Sequence, residues 1–459
     1  MRAWIRGMVC AAVIACRLWA GQATAVAQVE LESNASLQVI DNDLSADIEV
    51  LYRRIAELEA KVAQSQEALF PAEPTEFLPC PSPEPQGCFF SKCVGYDNGF
   101  YVRTCDQDFT LKVNGLLQVR QYSDWRNVTT GDDFEAGFVV ERAPIIFSGN
   151  VLSPKLKYWF ILQASRASGT NFLEEGKIIY AFDNGMVFQA GRFRDPAFLR
   201  EMEVSYTRQL PVERSYYNAV FSSGVIEGIS LSKQYDCFRW MTTLNDGANS
   251  GSVSNSKDFY QDYTDIACSA GVDFKLFGEW VQYGDFTSWP DEEPAMFLRS
   301  SLFWQNEEHA DALPLSERAS YISYSGEMTY ESHGFAAFGS LVGRHSQHDG
   351  PDINQYGGLG QISYQVIPNH WEPFVRYEHI WYDGYADISA TGTPLNDSTL
   401  DIVSVGFNWY FHRQAFKFTI EAMHALDEVP VSVPNTGFLQ DEAGQSGQTV
   451  LRSQIQLFF

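Results

Sequence analysis

The stretch Thr449-Val-Leu-Arg-Ser-Gln-Ile-Gln-Leu-Phe-Phe459 decides the fold. Strand side chains alternate between two faces. Phe459, Leu457, Ile455 and Leu451 therefore share one side, and Phe458, Gln456, Gln454 and Arg452 the other. One face is apolar, the other mainly polar, and the end is aromatic. At the edge of a water-soluble sheet such a strand would invite aggregation. As the closing strand of a membrane barrel it turns its apolar face to lipid and its polar face to water.

The same alternation starts at Phe109. In Phe109-Thr-Leu-Lys-Val-Asn-Gly-Leu-Leu-Gln-Val-Arg-Gln-Tyr122, Phe109, Leu111, Val113, Leu117 and Val119 share a face. Thr110, Lys112, Asn114, Gln118 and Arg120 share the other. Further strands are expected at 138–148, 156–166, 176–182, 186–194, 225–232, 237–245, 262–277, 279–286, 297–306, 320–330, 335–343, 356–365, 373–382, 400–411 and 416–425. With the first and last these make seventeen candidates. Single-chain bacterial barrels have even strand numbers, so about 16 strands are expected, one or two candidates being miscut. A barrel of that size encloses an aqueous channel. Asp183-Asn184-Gly185 reads as a hairpin turn. Asp246-Gly247 with Asn249–Ser256, and Ser288–Pro294, read as long surface loops.

Composition agrees. Aromatics are 14% of the chain, while mean hydropathy is only -0.21. Barrels combine these properties, because interfacial girdles are aromatic and alternation hides hydrophobicity from an average. No apolar run reaches the roughly 20 residues of a membrane-spanning helix. A formal net charge of -26 excludes nucleic acid as a partner and fits acidic surface loops.

The N-terminal part divides into three. Residues 1–27 read as a signal peptide, with Arg2 and Arg6 before the apolar Gly7–Ala15 and a small-residue cut site at Ala25-Val-Ala27. Residues 37–69 carry a heptad seam. Ile48, Ile55 and Val62 occupy one core position, and Leu51 and Leu58 the other. This is expected to be a periplasmic α-helical coiled coil, its residue choice favouring a dimer. A lone amphipathic helix on the barrel rim is the alternative. Residues 70–95 form a Pro- and Cys-rich linker, and 96–459 the transmembrane antiparallel barrel. Export permits disulfides, but spacing alone does not pair Cys80, Cys88, Cys93, Cys105, Cys237 and Cys268.

Candidate selectivity residues cluster where alternation fails. Arg192 to Phe221 holds Arg192, Arg194, Arg200, Arg208 and Arg214, with no Lys. Such a loop, folded into the lumen, would select anions through guanidinium groups. Asp195, Glu201, Glu203 and Glu213 intervene and would equally form ion pairs that pin the loop. Arg192 and Arg194 end a strand and are expected to face the lumen. Lys112, Arg120 and Arg142 are further candidates on polar strand faces.

Several of these segments resemble the phosphate-selective porin O and P family. They are the Phe109–Val119 strand, Glu141-Arg-Ala-Pro-Ile-Ile-Phe-Ser-Gly149, Gln189-Ala-Gly-Arg-Phe-Arg-Asp-Pro196, Glu213-Arg214 and Ser223-Gly-Val-Ile-Glu-Gly228. The sharper motifs lie between 109 and 228. The resemblance implies a 16-stranded outer-membrane barrel, commonly a homotrimer, passing small anionic solutes. It also marks Phe459, Leu457 and Ile455 as a signal read by the barrel assembly machinery. Two departures weigh against phosphate in particular. Glu141 precedes Arg142 where the family pairs two Arg, and Arg194-Asp195 replaces its Lys before Pro.

No nucleophile elbow, HExxH or P-loop occurs, so neither enzyme nor cofactor is expected. His345, His348 and Asp349 fall in a solvated loop and are not expected to bind metal. A cell-wall anchor, with the barrel merely holding the coiled coil, is the rival to a pore.

Overall fold

The computed structural model describes residues 93–129, 133–164, 171–250, 264–307, 320–347, 353–382, 398–433, 435–442 and 444–459. The signal peptide, the coiled coil, Cys80 and Cys88 lie outside the described residues.

A small hairpin comes first, β1 (Val94–Tyr96) with β2 (Phe100–Arg103). The barrel follows as β3 (Thr110–Trp125), β4 (Phe134–Arg142), β5 (Ile145–Val151), β6 (Ser153–Ala164), β7 (Asn171–Ala181), β8 (Met186–Arg194), β9 (Val225–Gln234), β10 (Phe238–Asn245) and β11 (Thr264–Phe277). It continues as β12 (Ala295–Glu307), β13 (Ser320–Ser332), β14 (Phe335–Gln347), β15 (Ile353–Tyr364), β16 (Trp371–Tyr382), β17 (Ser398–His412), β18 (Phe416–Ala425) and β19 (Thr449–Phe458). From β5 onward each strand pairs antiparallel with the next. β19 returns to β3, with Ile455 opposite Val119, and closes the sheet.

β4 and β5 are one stave. Both pair with β3, β4 over Gln118–Trp125 and β5 over Thr110–Gly115, and the break falls at Pro144, which has no N–H for a ladder. Seventeen labelled barrel strands therefore make sixteen staves. The miscut candidate is 279–286. Gly278 turns the chain at φ 92°, and Glu279 and Gln282 cap each other's backbone around a 3-10 turn at Trp280–Gly284. The expected surface loop at Ser288–Pro294 is also corrected. Trp289 is only 3% exposed, stacked edge-on against Tyr410.

Lipid outside and polar lumen inside explain the alternation. On β13, Ile322, Tyr324 and Met328 point outward and are exposed, while Ser323, Ser325, Glu327, Thr329 and Glu331 point inward and are buried. On β19, Leu457 and Ile455 face out, and Gln456, Gln454 and Arg452 are buried inside. At the end of the barrel that holds both the start of β3 and Phe459, Trp371, Trp409, Phe411 and Phe416 form a run of ring contacts. Tyr356 stacks on Trp381 near the opposite, loop end. Phe459 and Gly115 exchange both backbone hydrogen bonds, and a Cβ on Gly115 would come 2.7 Å from the Phe459 ring. Beyond that point β2 takes over the β3 edge, so the hairpin continues the closing seam.

Cys237 and Cys268 do not pair. The Cys237 carbonyl accepts from the Lys275 N–H, whereas Cys268 lies opposite Leu244, roughly 20 Å up the strand.

Candidate constriction

Residues 195–224 fold into the barrel, an outcome that the sequence of the 195–222 loop leaves open. Asp195 closes the base of this segment. Its backbone N–H donates to the Gly224 carbonyl, and its carboxylate accepts from Ala197 N–H, Ser223 and Ser269. Local turns replace alternation: α1 (Arg200–Glu203), a 3-10 turn at Tyr206–Arg208, and α2 (Tyr216–Phe221), capped by Ser215. Phe198, Leu199, Met202, Leu210, Tyr217 and Phe221 pack against wall residues including Phe303, Phe338, Val342 and Leu359.

Two cavities flank this segment. The one toward the loop end is about 380 Å³ and is lined by Arg142, Glu174, Arg192, Glu213, Arg214, Asn218, Asn435 and Thr436, among others. The one toward the terminal end is about 580 Å³, and its lining includes Arg194, Tyr206, Arg208, Asp285, Trp289, Glu292, His412 and Arg413. Tyr206 stands between them. The Arg142 guanidinium lies 4.6 Å from its ring centroid and the Arg194 guanidinium 5.4 Å.

The expected selectivity residues separate into two groups. Arg142, Arg192, Arg194, Arg208 and Arg214 line the cavities. Arg142 is bound to Glu213 at 2.6 Å and Arg194 to Glu175 at 2.5 Å. Among the described residues, Arg192 reaches only the half-exposed Glu227, at 3.5 Å, and its Nε and Nη2 have no hydrogen-bond partner. Arg194 Nη1 likewise has none. Arg208 is exposed to its cavity and forms no ion pair among the described residues. Arg214, although in the lining, spends its donors on the loop's own carbonyls at Glu201, Met202 and Val204.

Arg200, Arg120 and Lys112 are not in the cavity linings. Arg200 is fully buried and fastens the loop to the far wall. It donates to Thr329 Oγ1 at 2.8 Å and to the Tyr283 and Asp285 carbonyls, and its guanidinium lies 4.3 Å from the Tyr283 and Phe286 rings. Arg120 is also fully buried, held by Gln454, Tyr122, Glu213 and the Asn435 carbonyl. Lys112 sits opposite Tyr101 and Ser148 at the terminal end of β3.

Sequence reasoning missed Glu174 and Glu175, which precede the expected strand start at 176, and Lys177, whose partner Glu175 lay outside that strand. The register slips between Ile161 and Leu162, where Glu174 is the extra residue. It also missed Glu292 and Tyr206, whose roles depend on distant contacts. Burial raises Glu292 to about 7, with the Asp285 and Asp291 charges adding to it and the Arg413 charge opposing. His345 bonds Asn354 at 2.9 Å, and the described residues contain no His, Cys, Asp and Glu cluster suited to a metal.

A closed sixteen-stave barrel, apolar outside, polar inside and narrowed by an infolded loop, is the architecture of a porin-type outer-membrane channel. Residues 301–427 match the model of the family described as phosphate-selective porin O and P, so the family resemblance holds. The matched segment is the second half of the barrel, not the 109–228 stretch where the motifs looked sharper. An anion-selective porin from Comamonas acidovorans shares the fold at TM-score 0.52 and 13% identity, covering 76% of this chain and 99% of its own. OmpT of Vibrio cholerae, solved in a trimer form, aligns at TM-score 0.48 and 12% identity over 75% of this chain and 99% of its own. No curated protein sequence matches the chain.

Proposed function

We propose that the protein is a diffusion channel for small solutes with a weak anion preference, set by Arg192, Arg194 and Arg208. The observation that carries this is the charge balance of the two cavities. Arg142, Arg192 and Arg214 face Glu174 and Glu213 in one; Arg194, Arg208 and Arg413 face Asp285 and Glu292 in the other. Each has three arginines against two carboxylates, with unsatisfied guanidinium donors at Arg192 and Arg194. Arg194 and Arg413 are also paired, with Glu175 and Asp291 just outside the lining, so the freer charge rests on Arg192 and Arg208 and biases an ion path without binding any anion tightly. The test is single-channel recording in planar bilayers with asymmetric KCl. A reversal potential on the anion side is expected. A cation-selective reversal potential would leave a general porin, and absence of conductance would remove the channel reading.

The oligomer, the periplasmic coiled coil and the assembly signal belong to the same proposal. The resemblance favours a homotrimer, and cross-linking in detergent tests it. Deleting residues 37–69 should leave conductance unchanged; an intact chain that does not conduct, and that loses its hold on the cell wall on this deletion, would favour the anchor reading. Phe459→Ala should lower the yield of assembled barrel before it alters conductance.

A further inference from the structure

We propose that Cys93 and Cys105 are joined by a disulfide that clasps the β1–β2 hairpin to the first turn of the barrel. Their sulfurs lie 3.5 Å apart, and Cys105 is exposed. Both carriers are held in place. The Cys93 carbonyl accepts from the Arg103 N–H at 2.7 Å, extending the β1–β2 ladder by one step. Cys105 rides on the turn between Thr104 and Phe109. There Thr104 N–H donates to the Phe109 carbonyl and Phe109 N–H to Thr104 Oγ1. The Asp106 carboxylate accepts from Thr104 Oγ1 and Asp108 N–H. Asn150 of β5 fixes the same turn from the barrel side by donating to the Gln107 and Asp108 carbonyls. The two sulfurs therefore face each other across framework that is already ordered, and a small χ1 adjustment brings them to bonding distance.

An outer-membrane barrel passes through an oxidising compartment. The two thiols together give up two protons and two electrons. A disulfide-bearing thiol oxidase takes them and is itself reduced to a dithiol. The clasp has a mechanical consequence. The hairpin continues the seam below Phe459, and its Asn98 lines the terminal-end cavity. The clasp would then hold Asn98 at the lining of that cavity.

Peptide mapping tests this. Protein from the outer-membrane fraction is denatured and alkylated without reductant, then cut with trypsin after Lys92, Arg103 and Lys112. The expected product is a linked pair, Cys93–Arg103 with Thr104–Lys112, that separates on reduction. Alkylated Cys93 and Cys105, or linkage of either to Cys80, Cys88 or a second chain, would overturn the assignment. In Cys105→Ser, the Cys93–Arg103 peptide should no longer be recovered linked to Thr104–Lys112. Amides of residues 94–103 should exchange several-fold faster while β16–β18 stay protected. Unchanged exchange in the hairpin would show that the bond clasps nothing.

Discussion

Arg200 and Arg208 sit eight residues apart on one inward loop and do opposite work. Arg200 is sealed between the loop and the far wall, donating to Thr329 Oγ1 and to the Tyr283 carbonyl. Arg208 projects into the terminal-end cavity with no ion pair among the described residues. The wall repeats the contrast. Arg376 and Arg452 are fully buried, bound to Glu378 at 2.9 Å and Glu421 at 2.7 Å, whereas Arg192 has one long contact to a half-exposed carboxylate. A count of arginines therefore overstates the charge offered to a solute. What matters is the charge left after pairing, and here it is confined to the near wall and the loop edge facing it.

The largest test of that contrast removes a sealed guanidinium. Arg376→Met would leave Glu378 and Glu421 buried without their shared cation and cut the loop's tie through Glu201 and the Glu213 carbonyl. Breaking a buried pair from one side costs about 3–5 kcal/mol. Thermal unfolding in detergent should show a clear drop, with noisier or larger single-channel currents as the loop loosens. Unchanged stability would mean that the far-wall network is not what pins the loop. The converse test is Arg192→Gln with Arg208→Gln. Neither strips a buried carboxylate of its only partner, so melting should stay near the parent. Each removes a charge beside the ion path, worth about 1 kcal/mol at 4 Å in water, or roughly fivefold in anion permeability relative to cation. Arg194→Gln should fall between the two classes, because it also leaves the buried Glu175 with Lys177 alone.

The barrel was legible because one physical contrast, lipid against water, repeats along every strand. That is why the alternation at 186–194 and 416–425 matches β8 and β18 to the residue. The infolded segments obey no such contrast. Arg200 finds its partners at Thr329 and Tyr283, and Asn408 donates to the Leu210 carbonyl from almost two hundred residues away. No local period encodes those meetings. Ser288–Pro294 misled for the same reason. Pro, Asp and Glu resemble a solvated loop, yet Trp289 fills the space beside Tyr410 and donates to Asp285. Tight punctuation survived better: Asp183-Asn184-Gly185 makes the expected turn, with Gly185 at φ 81°.

The smallest expected effect sharpens the contrast by changing charge without changing sequence. Glu292 lies in the terminal-end cavity with its carboxyl raised to about 7 by burial and by the neighbouring Asp285 and Asp291. A carboxyl raised in the folded state is neutral on the acid side. Its contribution to stability is complete below the ordinary carboxylate range and is lost as pH rises through about 7. The cavity surplus follows the same titration. Protonating Glu292 removes one negative charge from the terminal-end cavity, which is therefore more positive at pH 6 than at pH 8. Anion preference should therefore rise by a small factor on going from pH 8 to pH 6, read as a shift in reversal potential. Glu292→Gln should flatten this dependence and hold the channel at its acid-side value across the range. A pH response that survives in that variant would move the titrating charge elsewhere in the lumen. A shift toward cations on acidification would contradict the charge balance assigned to the terminal-end cavity.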